Sequence, residues 1–481
     1  MHSPTDRHRI SQRRVQSGAA LLLMMLVVLV AATAILVSRL DRGTLHTRQI
    51  NETQQALAKA KQALIDHALT QADLNAGAAL TLPCPDLDAG GATLNGESHT
   101  ANCGATGVTV LGRFPWRTLA TPAYTDSSGE CLWYAVSGSY KNAGPATGRM
   151  INPDTNGQLQ LYSLESGDLI EGVLAEDRPV AMLFAPLSSL PAQLRPGSGI
   201  SGNDCSDNFS VSDYLDADLG SGISNALVSG NPDAIERFIV SVSGTGAHND
   251  RVLSIRRSEL ANAVYRRPDF ADSMNDLTRA ITGCVAAWGM SNATPDDRRL
   301  PWPASVSLAD YRLDASYDDD AGGVLSGRLA NVVDDSSGVT ANAVTEILGG
   351  CDPSTVPEWN AARWASWQNW KDHFFYAVAE SFAPGATIPT SCGTCFSVNG
   401  IGAYAAIILF SGERLQALGQ RRNAPPLDSD TKGQIANYLE GRNLGAHPYA
   451  SGSADFETRA ADSSFNDVAY CIDAAMTVTS C

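Results

Sequence analysis

The sharpest hydrophobic pattern opens the chain. Ala19 to Val37 run 19 residues without a charge, preceded by Arg7, Arg9, Arg13 and Arg14 against Asp6 alone. A helix of that length, at ~1.5 Å per residue, matches the ~30 Å hydrocarbon core of a bilayer, and the arginines orient its N-terminus to the cytoplasm. The pattern predicts a transmembrane helix over 19–38. Three readings fit it: a signal peptide cut after Ala32-Thr33-Ala34, an uncleaved anchor, or a leader of residues 1–18 removed just before the apolar run. Residues 45–72 then lack Pro and Gly, and Leu57, Ala60, Leu64 and Ala68 recur at helical spacing with Lys59, Lys61 and Asp66 off the stripe. This predicts an amphipathic stalk helix within 39–76, with Arg42-Gly43 loosening the join.

The run Arg13-Arg14-Val15-Gln16-Ser17-Gly18-Ala19-Ala20-Leu21-Leu22-Leu23 resembles the leader and mature start of type IV pilins and type II secretion pseudopilins. The resemblance implies cleavage between Gly18 and Ala19 by prepilin peptidase, methylation of Ala19, an inner-membrane single-pass protein with a periplasmic head, and other pilins or pseudopilins as partners through the N-terminal helix. The family's Glu at the fifth mature position is Leu23 here, a gap shared with K-type pseudopilins and some minor pilins. A tip subunit has no neighbour above it whose amine needs neutralising, so the gap points to the tip.

Downstream, five short blocks recur in order. Phe114-Pro115-Trp116, Leu132–Ser137, Pro179–Ala185, Tyr214-Leu215-Asp216 and Asn249–Ile255 are followed by Leu300-Pro301-Trp302, Phe374–Ala379, Ala405–Ser411, Tyr438-Leu439-Glu440 and Asn466–Ile472. The apolar blocks are rich in Val, Ile, Phe and Tyr and bounded by turn residues, so they read as strands. Each set follows a helix, the stalk for the first and Ser273–Met290 for the second. The expected fold is α+β, with two tandem similar domains, 77–257 and 258–481, each a helix packed on an antiparallel sheet. The segments LPCPD, GRFPWRTL, LWYAVS and NDRVLSI resemble large pseudopilin-like proteins of Gram-negative bacteria, which implies no enzyme activity.

Composition narrows the classes. With 481 residues, 44% apolar, the chain has material for real cores, and 51 acidic against 34 basic residues argue against a nucleic-acid partner. Ten cysteines, an even number, suit an oxidising compartment. Cys84 with Cys103, Cys471 with Cys481, and the lone Cys392-Gly393-Thr394-Cys395 are candidate bridges. Asp86, Asp88 and Glu97 fall at positions 1, 3 and 12 of a calcium-loop pattern, but Gly90 replaces the donor at position 5, so a plain acidic turn competes with a calcium site. Asn152–Gly157 starts like a calcium loop but has Ser163 at position 12 and reads as a plain turn, Asp318–Gly323 reads as a solvated acidic turn, and Gly197–Gly202 as a loop despite its G-x-G-x-x-G spelling. Trp359, Trp364, Trp367 and Trp370 offer either a sugar- or partner-binding surface or, for most of them, the buried face of a helix on a sheet, and core packing is the reading favoured. No cofactor is otherwise expected. The function expected is a minor pilin or pseudopilin at a fibre tip; the alternatives are a tip adhesin or ligand-binding module, and an anchored hydrolase whose His and carboxylate would converge on a nucleophile.

Overall fold

The computed structural model describes all residues except 1–16, 75–79, 88–93, 100–102, 142–149, 196–204, 206–208, 219, 242–247, 292–297 and 387–391, and also leaves aside the side chains of 17–20, 34–46 and 72–74. The chain divides into Met1–Gln55 and Ala56–Cys481. Helix α1 runs from Ser17 to Leu74. Arg42-Gly43 do not interrupt it, because one interior glycine costs only about 0.5–1 kcal/mol against alanine.

Among the described residues no helix is long and apolar enough to cross a membrane. This overturns the expected transmembrane helix over 19–38 and the single-pass inner-membrane placement.

The second unit is α+β. Its first part contains β1 (Val110–Arg113), β2 (Trp133–Val136), β3 (Leu159–Ser163), β4 (Leu169–Glu171), β5 (Pro179–Ala185), β6 (Ala217–Asp218), β7 (Ile223–Ser224), β8 (Glu236–Val240) and β9 (Arg251–Arg256). The main sheet has the order β1-β2-β5-β9 and is antiparallel throughout. The stripe Leu57, Ala60, Leu64 and Ala68 of α1 is buried in one core with Tyr134, Val136, Leu183 and Ala185, as helical spacing requires. On the opposite face Trp133, Met182 and Phe184 share a core with Leu159, Leu161 and Phe238, which come from the small sheet β4-β3-β8. Burial from both sides explains why β5 reads PVAMLFA without alternation.

The second part contains α2 (Arg257–Tyr265), α3 (Phe270–Met290), β10 (Ser326–Arg328), α4 (Ala361–Trp370), β11 (Phe374–Val378), β12 (Phe396–Val398), β13 (Ile401–Phe410), α5 (Gly441–Gly445), β14 (Asp455–Phe456), β15 (Val468–Asp473) and β16 (Val478–Ser480). Here β10, β11, β13, β15 and β16 pair in that order, all antiparallel, while β12 joins the first residues of β13 and pairs β14 in parallel. Leu277, Ile281, Val285 and Trp288 of α3 are buried with Tyr376, Val378 and Ile408. The expected helix 273–290 gains one turn at its start. Asn360 caps α4 by accepting from the N–H groups of Ala362 (3.0 Å) and Arg363 (3.1 Å). Trp359, Trp367 and Trp370 are buried, the packing role expected of that stretch.

One edge detail occurs in both parts. Arg113 in β1 exchanges backbone hydrogen bonds with Asp86 (2.9 and 3.0 Å), and Arg328 in β10 exchanges them with Ala304 (2.9 Å each way). The residue before each arginine is glycine for a steric reason: a Cβ on Gly112 would lie 2.6 Å from the Asp86 carbonyl oxygen, and one on Gly327 2.2 Å from that of Ala304. The ten cysteines form five disulfides, Cys84–Cys103, Cys131–Cys205, Cys284–Cys351, Cys392–Cys395 and Cys471–Cys481.

Candidate functional site

In the first unit, every side chain from Leu21 to Val30 is 57–74% exposed. The only hydroxyl within 21–33, that of Thr33, turns back onto the helix, donating to the carbonyls of Leu29 (2.9 Å) and Val30 (3.0 Å). The helix therefore presents hydrocarbon on all sides with no polar face, the pattern of a helix that is surrounded by something else. Gly18 and Ala19 lie in its first turn, and Leu23 is 65% exposed. The arginine-rich part of the expected leader, 1–16, lies outside the described residues.

In the second unit, the segment read as a plain turn, Asn152–Gly157, has Asn152, Pro153, Asp154 and Gly157 buried and Thr155 and Asn156 half-buried. Asn152 Nδ2 donates to the Asn369 carbonyl and to Asp372 Oδ1, both at 2.9 Å. Asp154 Oδ2 lies 3.0 Å from Arg422 Nη1 and 3.2 Å from His373 Nε2, and Arg257 Nη1 stands 3.4 Å from its Oδ1. Lys432 pairs with Asp372, and Arg178 grips Asp428 through two bonds of 2.8 and 3.1 Å. Burial by itself would raise the Asp154 carboxyl, yet Arg422, His373 and Arg257 hold it well below the usual carboxylate range. Asp372 is likewise lowered, Lys432 and His373 prevailing over burial. Turn chemistry gave only a plain turn here; the second half of the chain covers it and supplies its counter-charges, a contact with no local sequence signal.

The same network assembles a Ser–His–Asp trio that sequence reasoning could not place. His373 Nδ1 is 3.4 Å from Ser411 Oγ, and Nε2 faces Asp154. However, Ser411 and His373 have no exposed surface. Ser411 Oγ also lies 3.2 Å from the His373 carbonyl, an acceptor it can donate to, while Nδ1 lies 2.9 Å from the Ser411 carbonyl. In this arrangement the trio fastens β11 to β13, and no substrate atom reaches the hydroxyl.

A cavity of about 110 Å³ beside this network is lined by Asp154, Asn156, Arg312, Arg422, Asp428 and Lys432 among others. Its charged walls are internally matched. Arg312 pairs with Asp310 (2.9 Å) and Asp233 (3.6 Å), and Asp428 and Lys432 are engaged as above.

The described members of the expected calcium loop turn to amides of their own loop. Asp86 Oδ2 accepts from Gly96 N (2.6 Å), and Glu97 Oε2 from Leu94 N (3.2 Å). Asp88 lies outside the described residues. Three acids come together elsewhere: Asp318, Asp319 and Asp334 place one oxygen each within 4.8 Å of one another. Asp319 is buried rather than solvated, and accepts from the N–H groups of Asp334 (2.8 Å), Asp335 (3.1 Å) and Ser336 (2.8 Å). Burial first, then Asp334 and Asp319, push the Asp318 carboxyl up to about 6. The DDD spelling was visible in the sequence; its return to Asp334 was not. No family model, curated protein or solved structure matches this chain.

Proposed function

We propose that the chain is a pilin-like structural subunit that assembles through its N-terminal helix with the helices of like subunits, at or near the tip of a type IV pilus or type II secretion pseudopilus. One observation carries the reading: a helix whose side chains from Leu21 to Val30 are all apolar and all 57–74% exposed. Ten such side chains left in water would forfeit most of the ~1.5–3 kcal/mol that each large one gains on burial, so the segment needs a partner, and a helix without a polar face suits the middle of a helix bundle. Leu23, where the family carries Glu, removes the charge that would pair with a neighbour's terminal amine and supports the tip position.

In this reading the head consists of two related halves, 77–257 and 258–481, each a helix on an antiparallel sheet. The recurring strand order and the matched Gly112-Arg113 and Gly327-Arg328 edges support it. They also change the alignment of the first repeated block: Leu82-Pro83-Cys84-Pro85-Asp86 answers Leu300-Pro301-Trp302-Pro303-Ala304, whereas Phe114-Pro115-Trp116 lies after the first edge strand. Processing after Gly18 by a prepilin peptidase belongs to the same reading. The test is mass spectrometry of the mature N-terminus, with cross-linking from position 23. The expected chain starts at methylated Ala19, Gly18→Lys stops its formation, and the cross-links reach other pilin-like subunits. A mature chain starting after Ala34 has lost the helix and refutes the proposal.

A further inference from the structure

Two turns of the second unit bury acids in the same way. In the first, Asp250 Oδ2 accepts the N–H of Asp216 (2.8 Å) and Asn225 Nδ2 (3.0 Å), while Asp216 Oδ2 accepts the N–H groups of Asn249 (2.6 Å) and Asp250 (2.8 Å). In the second, Asp467 Oδ2 accepts the N–H of Glu440 (3.2 Å) and Asn443 Nδ2 (2.9 Å), while Glu440 Oε2 accepts the N–H of Asn466 (3.1 Å). A glutamine closes each from outside: Gln193 Nε2 lies 3.4 Å from Asp216 Oδ1, and Gln420 Nε2 2.7 Å from Glu440 Oε1. Each clasp ties a Tyr-Leu-acid turn to the residue that opens β9 or β15.

The charge in each clasp is not balanced by its surroundings. The four acids are 2–6% exposed. The other Asp250 and Asp467 oxygens, Oδ1 in both, are buried with no hydrogen-bond partner. Arg195 and His248 face the first pair, and Arg422 the second. Arg195 is already bound to Glu130 (3.3 Å) and to the Tyr214 carbonyl (3.0 Å), His248 lies against the Ala217 carbonyl (3.1 Å), and Arg422 is held by Asp154 (3.0 Å). Two buried acids locked together through each other's turn, with their nearest cations engaged elsewhere, cannot both stay ionised. A proton on one member removes the excess charge and turns the orphan Oδ1 into a donor.

We propose that each half of this unit is closed by a carboxyl pair holding one proton, and that raising the pH withdraws these two protons and loosens the hold on β9 and β15. Burial first, and then the partner acid, push Asp250 and Asp467 well above the ordinary carboxylate range; Asp216 and Glu440 are raised too, chiefly by burial. A raised folded value means that the stabilisation is fully present below the unfolded value of about 4 and is lost as pH rises through the folded one.

The test is denaturant unfolding of the full chain from about pH 5 to about pH 9, for the wild type, Asp250→Asn, Asp467→Asn and the double variant. An amide copies the shape and donor of the protonated acid and does not titrate. Each single variant is expected to remove about half of the alkaline fall in midpoint, and the double variant all of the part due to these pairs. Infrared spectra of the wild type should show buried protonated-carboxyl C=O bands that vanish on raising the pH, a readout that survives should a variant fail to fold. Absence of those bands overturns the proposal. So does a chelator that shifts the wild-type midpoint and not the double variant's, which would identify a bridging cation instead.

Discussion

Asp154→Ala isolates what the buried junction contributes. Asp154 is 3% exposed, and its side chain faces Arg422 and Arg257, whose side chains are 0% and 5% exposed. At this depth solvent screening does not soften the result. Truncation leaves two guanidinium groups in the interior without their carboxylate, and removing one partner of a buried pair costs about 3–5 kcal/mol. Asp154→Asn keeps the volume and one acceptor, so it should cost less than Ala, in the ~1–3 kcal/mol range of a buried group with an imperfect partner. The assay is urea unfolding followed by tryptophan fluorescence, for which Trp370, 4.9 Å from the His373 ring, is a local reporter. The pH dependence supplies a second readout. Because the Asp154 carboxyl is held low when folded, its contribution is present above the unfolded value of about 4 and disappears as pH falls through the folded one. Asp154→Asn should flatten that acid limb. A loss under about 1 kcal/mol for Asp154→Ala, with the acid limb intact, would mean that the group behaves as a surface charge, and the account of the junction would be refuted.

Cys284 and Cys351 are 67 residues apart, and opening that loop by Cys351→Ser should cost about 4 kcal/mol in the chain-entropy picture, against much less for Cys395→Ser, measured as unfolding midpoints without reductant. Leu64→Ala deletes a side chain with no exposed surface from the face of α1 and should cost about 2–5 kcal/mol by chemical denaturation. Asp318→Asn should raise stability at neutral pH, because a carboxyl pushed up to about 6 withdraws its contribution as pH rises from the unfolded value of about 4; comparing unfolding midpoints at pH 5 and about pH 7.5 checks the sign.

Local pattern determined much of this molecule. The stripe from Leu57 to Ala68, the α3 periodicity and the Val/Ile/Phe-rich blocks are consequences of periods of 3.6 and 2, so the helices and the main strands were legible from spacing alone. Their ordered recurrence was legible too. What spacing could not decide was any property set by a distant segment. Asn152–Gly157 has the composition of a plain turn, and its Asp154 became the buried centre of an ion network because Arg257, His373 and Arg422 arrive from 103 or more residues away. The bridges of Asp86 to Arg113 and of Ala304 to Arg328 likewise join segments that spacing along the chain does not connect. The apolar opening segment showed the converse. Hydropathy counted an uninterrupted run and predicted a membrane crossing, whereas the folded chain has one long helix with no described stretch long and apolar enough to span one. Periodicity is a property of neighbours along the chain, while burial and charge pairing depend on which segments meet, and only the tertiary structure decides that.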